Sequence, residues 1–203
     1  MIMKNILKIF ISAIILSVVL LSCTKETDYS LDKSVFIEDK YNPGLPIHSD
    51  WGYNTFGAYI DRVPFTSTSN ILPAKVFIHN DTLFFNLTGE YNYKRLEMRI
   101  CLANLNYAEY SDLIALNNKT VNLKTDNCDV YFLWGEEKTK TKLNIIEGEF
   151  KFARVHTLKV DMELQKTILS GTFMFKTFLN DEPVAISKGR FDVNIGYENF
   201  FNY

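Results

Sequence analysis

The sequence predicts an all-β fold, an antiparallel β-sandwich, with a lipocalin-like β-barrel as the alternative arrangement of the same strands. Three observations predict it. About ten β-rich runs follow one another roughly every 8–14 residues, with turn residues between them. Several of these runs alternate apolar and polar residues with period two, as strands with one buried face do. No strand–helix–strand rhythm interrupts them to build a parallel sheet.

The elements follow in chain order. GAYIDRVPFTS (57–67) turns at Asp61-Arg62, and AKVFIHNDTLFFNLTG (74–89) turns at Asn80-Asp81, residues that tolerate the positive φ of a tight hairpin. RLEMRICLAN (95–104) alternates cleanly, with Leu96, Met98, Ile100 and Leu102 on one face. NYAEYSDLIALNN (106–118) is the one helical segment, with Ser111 as its expected cap and Asn117-Asn118 as its end. KTVNLK, CDVYFLW, KTKLNII, GEFKFARV and TLKVDMEL then read as separate strands, with a Gly135-Glu136-Glu137-Lys138 turn among them. ILSGTFMFKTFL, an Asn180-Asp181-Glu182-Pro183 turn and VAISKGRFDVNI complete the sheet. A membrane barrel is set aside because most runs are shorter than the ~9–11 residues of a tilted spanning strand.

Ahead of the strands stands a leader. Lys4 and Lys8 precede an apolar run from Ile9 to Leu21, too short for a comfortable span of ~20 residues but the right length for a secretory signal. It ends in Leu20-Leu21-Ser22-Cys23, which resembles the bacterial lipobox. That resemblance implies cleavage before Cys23 and a thioether-linked lipid on its sulfur, with further acylation of the new amine. Several acyl chains at ~0.8 kcal/mol per buried CH₂ hold a protein on a membrane far more firmly than one. No aspartate follows Cys23 directly, and acidic residues lie just downstream. The expected address is therefore the outer membrane, facing the periplasm or the cell surface.

The chain thus divides into a signal peptide (1–22), a lipidated N-terminus and tether (23–50, with Pro43, Gly44 and Pro46), and a single β domain (51–203). The formal net charge is −2, and loss of Lys4 and Lys8 leaves −4 on the remaining 181 residues. No basic field exists to hold nucleic acid. With Cys23 committed to lipid, Cys101 and Cys128 remain, and strand parity puts them on opposite faces, so two free thiols are expected.

Three stretches carry a resemblance: Ala58–Phe65, Ser170–Phe175 and Gly189–Val193. Their early hairpin and late SGTFMF…GRFDV hairpin resemble those of a group of uncharacterised Bacteroidota lipoproteins built on a domain of unknown function, over roughly Gly52 to Ile195. Arg62 stands where that group more often has Gly. The resemblance implies an envelope lipoprotein and brings no catalytic residues with it.

No motif of known chemistry stands out. His48, His79 and His156 have no metal-ligand spacing, and neither a nucleophile elbow nor a phosphate-binding glycine loop occurs. No metal, cofactor or catalytic set is expected, and the protein is read as a non-enzyme. Glu136-Glu137 are adjacent and belong to a turn, not to a glycosidase pair. Asp81-Thr82-Leu83 resembles a Bacteroidota O-glycosylation site at Thr82. Trp51, Tyr53, Phe56 and Tyr59 cluster at the start of the domain, and Tyr197, Phe200, Phe201 and Tyr203 at its end. If exposed together, the first group would stack on sugar rings or grip a protein; otherwise these rings cover the open ends of the core. The expected function is a binding module for a glycan or an envelope protein, with an accessory subunit of an envelope assembly as the alternative.

Overall fold

The structure, a computed structural model, describes residues 33–68 and 72–203. Twelve strands form one continuous sheet: β1 (Thr55–Ile60), β2 (Val63–Thr66), β3 (Ala74–His79), β4 (Thr82–Tyr91), β5 (Lys94–Ala103), β6 (Thr120–Asn122), β7 (Cys128–Trp134), β8 (Thr139–Lys142), β9 (Asn144–Val160), β10 (Glu163–Leu179), β11 (Glu182–Ile195) and β12 (Phe200–Asn202). The hydrogen-bonded order is β6-β9-β10-β11-β1-β2-β4-β5-β7-β8, with β3 on β4 and β12 parallel to β3. The path ends at β6 and β8, which do not pair, so the sheet is open and the fold is sandwich-like, not a closed barrel. It folds back at short β2, which meets β4 only at Glu90 and Tyr91.

Burial follows the alternation. On β5, Leu96, Met98 and Ile100 are 0 % exposed and Leu102 4 %; full burial of such a side chain contributes ~1.5–3 kcal/mol. Across the interlayer space Phe85 of β4 meets Phe150 and Phe152 of β9, both at 5.8 Å, and Phe191 of β11 at 5.5 Å. Large rings on β10 and β11 sit opposite glycines, Gly171 facing Phe191 and Phe173 facing Gly189. Both glycines are needed for close approach: a Cβ on Gly171 would lie 1.9 Å from the Lys151 carbonyl oxygen, and one on Gly189 2.4 Å from that of Phe173.

Five hairpins close on two residues that both have positive φ: Asp61-Arg62, Asn80-Asp81, Asn92-Tyr93, Asp161-Met162 and Asn180-Asp181. This is the type I′ turn, whose twist matches that of the flanking strands. Each begins with Asn or Asp, the residues whose short polar side chains best tolerate the left-handed region. Arg62 therefore occupies the second position of a regular turn without glycine.

Several expectations are corrected. KTKLNII, GEFKFARV and TLKV are not separate: from Asn144 they run into one 17-residue β9, because Gly148 (φ 149°) stays paired with Phe175 and the chain accommodates a bulge at Ile146 in place of a turn. TLKVDMEL is split by the Asp161-Met162 turn. The helical segment is a 3₁₀ helix, Tyr110–Leu116, and Ser111 lies inside it. Asp112 supplies the cap, its carboxylate accepting the Ala108 and Glu109 N–H groups at 2.9 and 3.0 Å. Leu113 and Leu116 are buried, whereas Ile114 is 44 % exposed. With β9 and β10 at 17 residues, strand length no longer argues against a membrane barrel; the open sheet does, since a spanning sheet must close.

The tether assignment also changes. Residues 33–50 belong to the same compact unit as the strands. Leu45 is 0 % exposed, and a bridge between Glu38 and Pro46 folds the segment on itself. Cys101 and Cys128 are free, as parity predicts, and Cys128 packs toward the core.

Candidate functional site

The strands β9, β10 and β11 present one face to the core and the other outward, and their outward face is irregular. Register slips between Phe173 and Phe175 on β10, where β11 carries an extra residue and Lys188 takes a φ of 55°. It slips again between Lys176 and Thr177 against β9, where Ile146 is the extra residue. Bulges bend a strand and re-aim its side chains. Here they hollow the surface into a groove of about 670 Å³ whose lining includes Asn122, Asp126, Glu147, Met174, Ile186 and Lys188. A second cavity of about 350 Å³ continues it beneath residues 39–48, sharing Glu149, Met174 and Lys188.

Met174, 56 % exposed, is the apolar centre of this surface. Charges of both signs surround it. Glu147 pairs with Lys176 at 2.7 Å, and that ammonium holds the Glu147 carboxyl below its ordinary value. Asp126 accepts the Asn122 N–H at 2.9 Å. The side chains of Glu149 and Lys188 engage no ion pair among the described residues, so they are the groups available to a ligand.

The far wall belongs to the segment before β1. Asp39 pairs with Arg190 at 2.5 Å and also accepts from Asn42 Nδ2 at 2.7 Å and the Tyr41 N–H at 2.9 Å. The Tyr41 N–H and the Arg190 guanidinium together lower its carboxyl from 3.8 to about 2. His48 lines the same cavity as Asp39 and Glu149, yet no hydrogen bond joins its ring to either among the described residues. Among the described residues no cluster of His, Cys, Asp or Glu is arranged to hold a metal ion.

The aromatic cluster expected at the start of the domain does not assemble. Trp51 is 77 % exposed, but Phe56 is 0 % exposed and stacks edge-on with Phe65 inside the core. Phe56 is thus corrected from a ligand contact to a core residue. Tyr59 donates its hydroxyl to the Pro43 carbonyl at 2.8 Å, and the Tyr53 N–H is held by Asp192 at 3.0 Å. No ring contact links these four among the described residues. Thr82 opens β4, partly exposed, its hydroxyl donating to the Asn80 carbonyl at 3.4 Å. Cys23 lies outside the described residues. Burial pushes the Cys101 and Cys128 thiols up to about 11 and about 12, which keeps them protonated and unreactive.

Aromatic order appears instead where the chain pairs β12 with β3. Phe77, Phe201 and Tyr203 stack with ring planes within 19° of one another and centroids 5.2–6.4 Å apart, Tyr203 being 75 % exposed. The groove residues escaped the sequence reading, although Phe173-Met174-Phe175 carried a signal. Three apolar residues in a row on an alternating strand put the middle one outside.

The folded-state pKa of Asp39 lies below its unfolded value, so its ion pair supports the fold above pH 3.8 and loses that contribution as pH falls toward 2. Carboxyl-carbon NMR across pH 1.5–6 is expected to show Asp39 titrating near the bottom of that window (about 2) in the native protein and shifting upward in an Arg190→Gln variant.

The chain matches no family model, and neither the curated proteins nor the solved structures contain a significant match to it.

Proposed function

We propose that this chain is an envelope lipoprotein anchored through Cys23, of the Bacteroidota group its hairpins resemble, whose β domain binds a glycan or a protein without transforming it. The observation that carries the binding reading is the bulge-built groove on β9–β11. It has the size of a ligand cleft, an exposed Met174 at its centre and polar groups converging from three strands. Methionine adapts its shape to an apolar surface, while Glu149 and Lys188 offer an acceptor and donors. An outer-membrane address facing the periplasm or the surface follows from the lipobox and the residues behind it.

A second reading has its own observation. The Phe77–Phe201–Tyr203 ladder beside edge strand β12 suits an accessory subunit that docks on an envelope assembly.

Immobilised wild-type protein is expected to retain either purified envelope polysaccharide or detergent-extracted envelope protein, tested separately. A Met174→Arg/Lys188→Glu variant should bind at least tenfold more weakly with an unchanged melting temperature. No binding by the wild type, or equal binding by the variant, contradicts the groove; loss on Phe201→Ser instead favours the ladder. For the anchor, Cys23→Ala should move the protein from the membrane pellet to the soluble fraction, and continued sedimentation would contradict it.

A further inference from the structure

The segment from Lys33 to Asn54 crosses the outward face of β1, β10 and β11 and is attached in an unusual way. Its buried apolar side chains, Leu45 and Pro46, are not part of the interlayer core, and neither is any other residue of the segment. Leu45 and Pro46 seat on Gly57, where a Cβ would lie 2.5 Å from Pro46 Cδ and 3.3 Å from Leu45 Cδ2. The polar attachments fall into three sets, one of which is the ion pair of Asp50 with Arg154 of β9 at 2.5 Å. At the far end, Arg190 holds Asp39 at 2.5 Å and the Pro46 carbonyl at 3.2 Å, and Tyr59 holds the Pro43 carbonyl. Near β1, the Asp192 carboxylate accepts the Gly52 and Tyr53 N–H groups at 2.8 and 3.0 Å, and Asn194 donates to the Gly52 carbonyl at 3.1 Å.

Gly52 (φ 78°) and Asn54 (φ 57°), next to this last set, are both in the left-handed region, where a glycine and an asparagine absorb backbone rotation at least cost. We propose that residues 33–51 are a strap that opens and closes over one end of the β9–β11 groove, pivoting at Gly52–Asn54 and latched by Asp39–Arg190. Lifting it leaves the apolar core covered, because the face beneath it carries Gly57, Tyr59, Arg190, Asp192 and Asn194. Such an element opens locally at less free energy than the sandwich unfolds. Opening widens the cavity bounded by His48, Asp39 and Lys188 and frees the Arg190 guanidinium, which is otherwise almost wholly covered.

The gating consequence rests on the groove being a binding site; the opening does not, and hydrogen exchange of the full chain without ligand reads the opening alone. In the wild type, the strap amides of Val35, Asp39 and Ile47, each hydrogen-bonded within or beside the strap, should exchange at least tenfold faster than those of Phe85 and Ile100. Asp39→Asn should accelerate the strap amides a further tenfold and leave Ile100 unchanged, with phenylglyoxal modifying Arg190 faster. Gly57→Ala, which wedges the seat without touching the ion pair, should do the same. Strap and core amides exchanging together in the wild type, or strap rates unmoved by both substitutions, would overturn the proposal.

Discussion

Five phenylalanine rings hold the two layers of this protein together. Phe85 reaches from β4 to Phe150, Phe152 and Phe191 on the other layer, and Phe150 stacks on both Phe173 and Phe191 at 5.6 and 5.0 Å. All are 0–1 % exposed. Aromatic pairs add ~0.5–1.5 kcal/mol each beyond the area they bury, so the interlayer contact is concentrated at one place. The glycines opposite these rings, Gly171 and Gly189, are part of the same arrangement, since side chains there would displace the rings or the neighbouring strand. With the interior secured at this point, the outward face of β9–β11 is free to bulge, to carry charge and to hold a cover that contributes nothing to the core.

That division explains which features the sequence disclosed. Alternation disclosed β5, because one of its faces is wholly apolar, and the turns at Asp61, Asn80 and Asn180, because Asn and Asp announce the left-handed first position. It did not disclose Asn92-Tyr93 or Asp161-Met162 as turns. Tyr93 and Met162 look like strand residues, and only the residue before each carried the signal. Gly148 was misleading in the opposite sense: a glycine between two apolar runs reads as a break, yet here it pairs with Phe175 and β9 continues through it. The 3₁₀ helix was visible in its apolar pair Leu113 and Leu116, while its cap was displaced to Asp112 because the carboxylate reaches two backbone N–H groups at once.

The candidate site was less legible, for physical reasons. Grooves arise from register slips, and a slip is a relation between two strands that neither states alone. Residues 33–50, with two prolines and scattered charge, have the composition of a linker, and only their partners reveal a packed strap: Arg190, Asp192 and Gly57 lie more than a hundred residues away or across the turn into β1. Phe56 shows the converse. It shares the aromatic composition of Trp51 and Tyr53, but its place on β1 turns it inward onto Phe65.

The dependence of the whole arrangement on the ring cluster is open to one direct measurement. Urea unfolding of Phe85→Ala is expected to show a loss of about 3–5 kcal/mol relative to the wild type with an unchanged m-value, as for removal of a ring from a tightly packed interior. A loss below about 1 kcal/mol would mean that the layers are held elsewhere, and the account of a self-sufficient core beneath a separable outer face would fail.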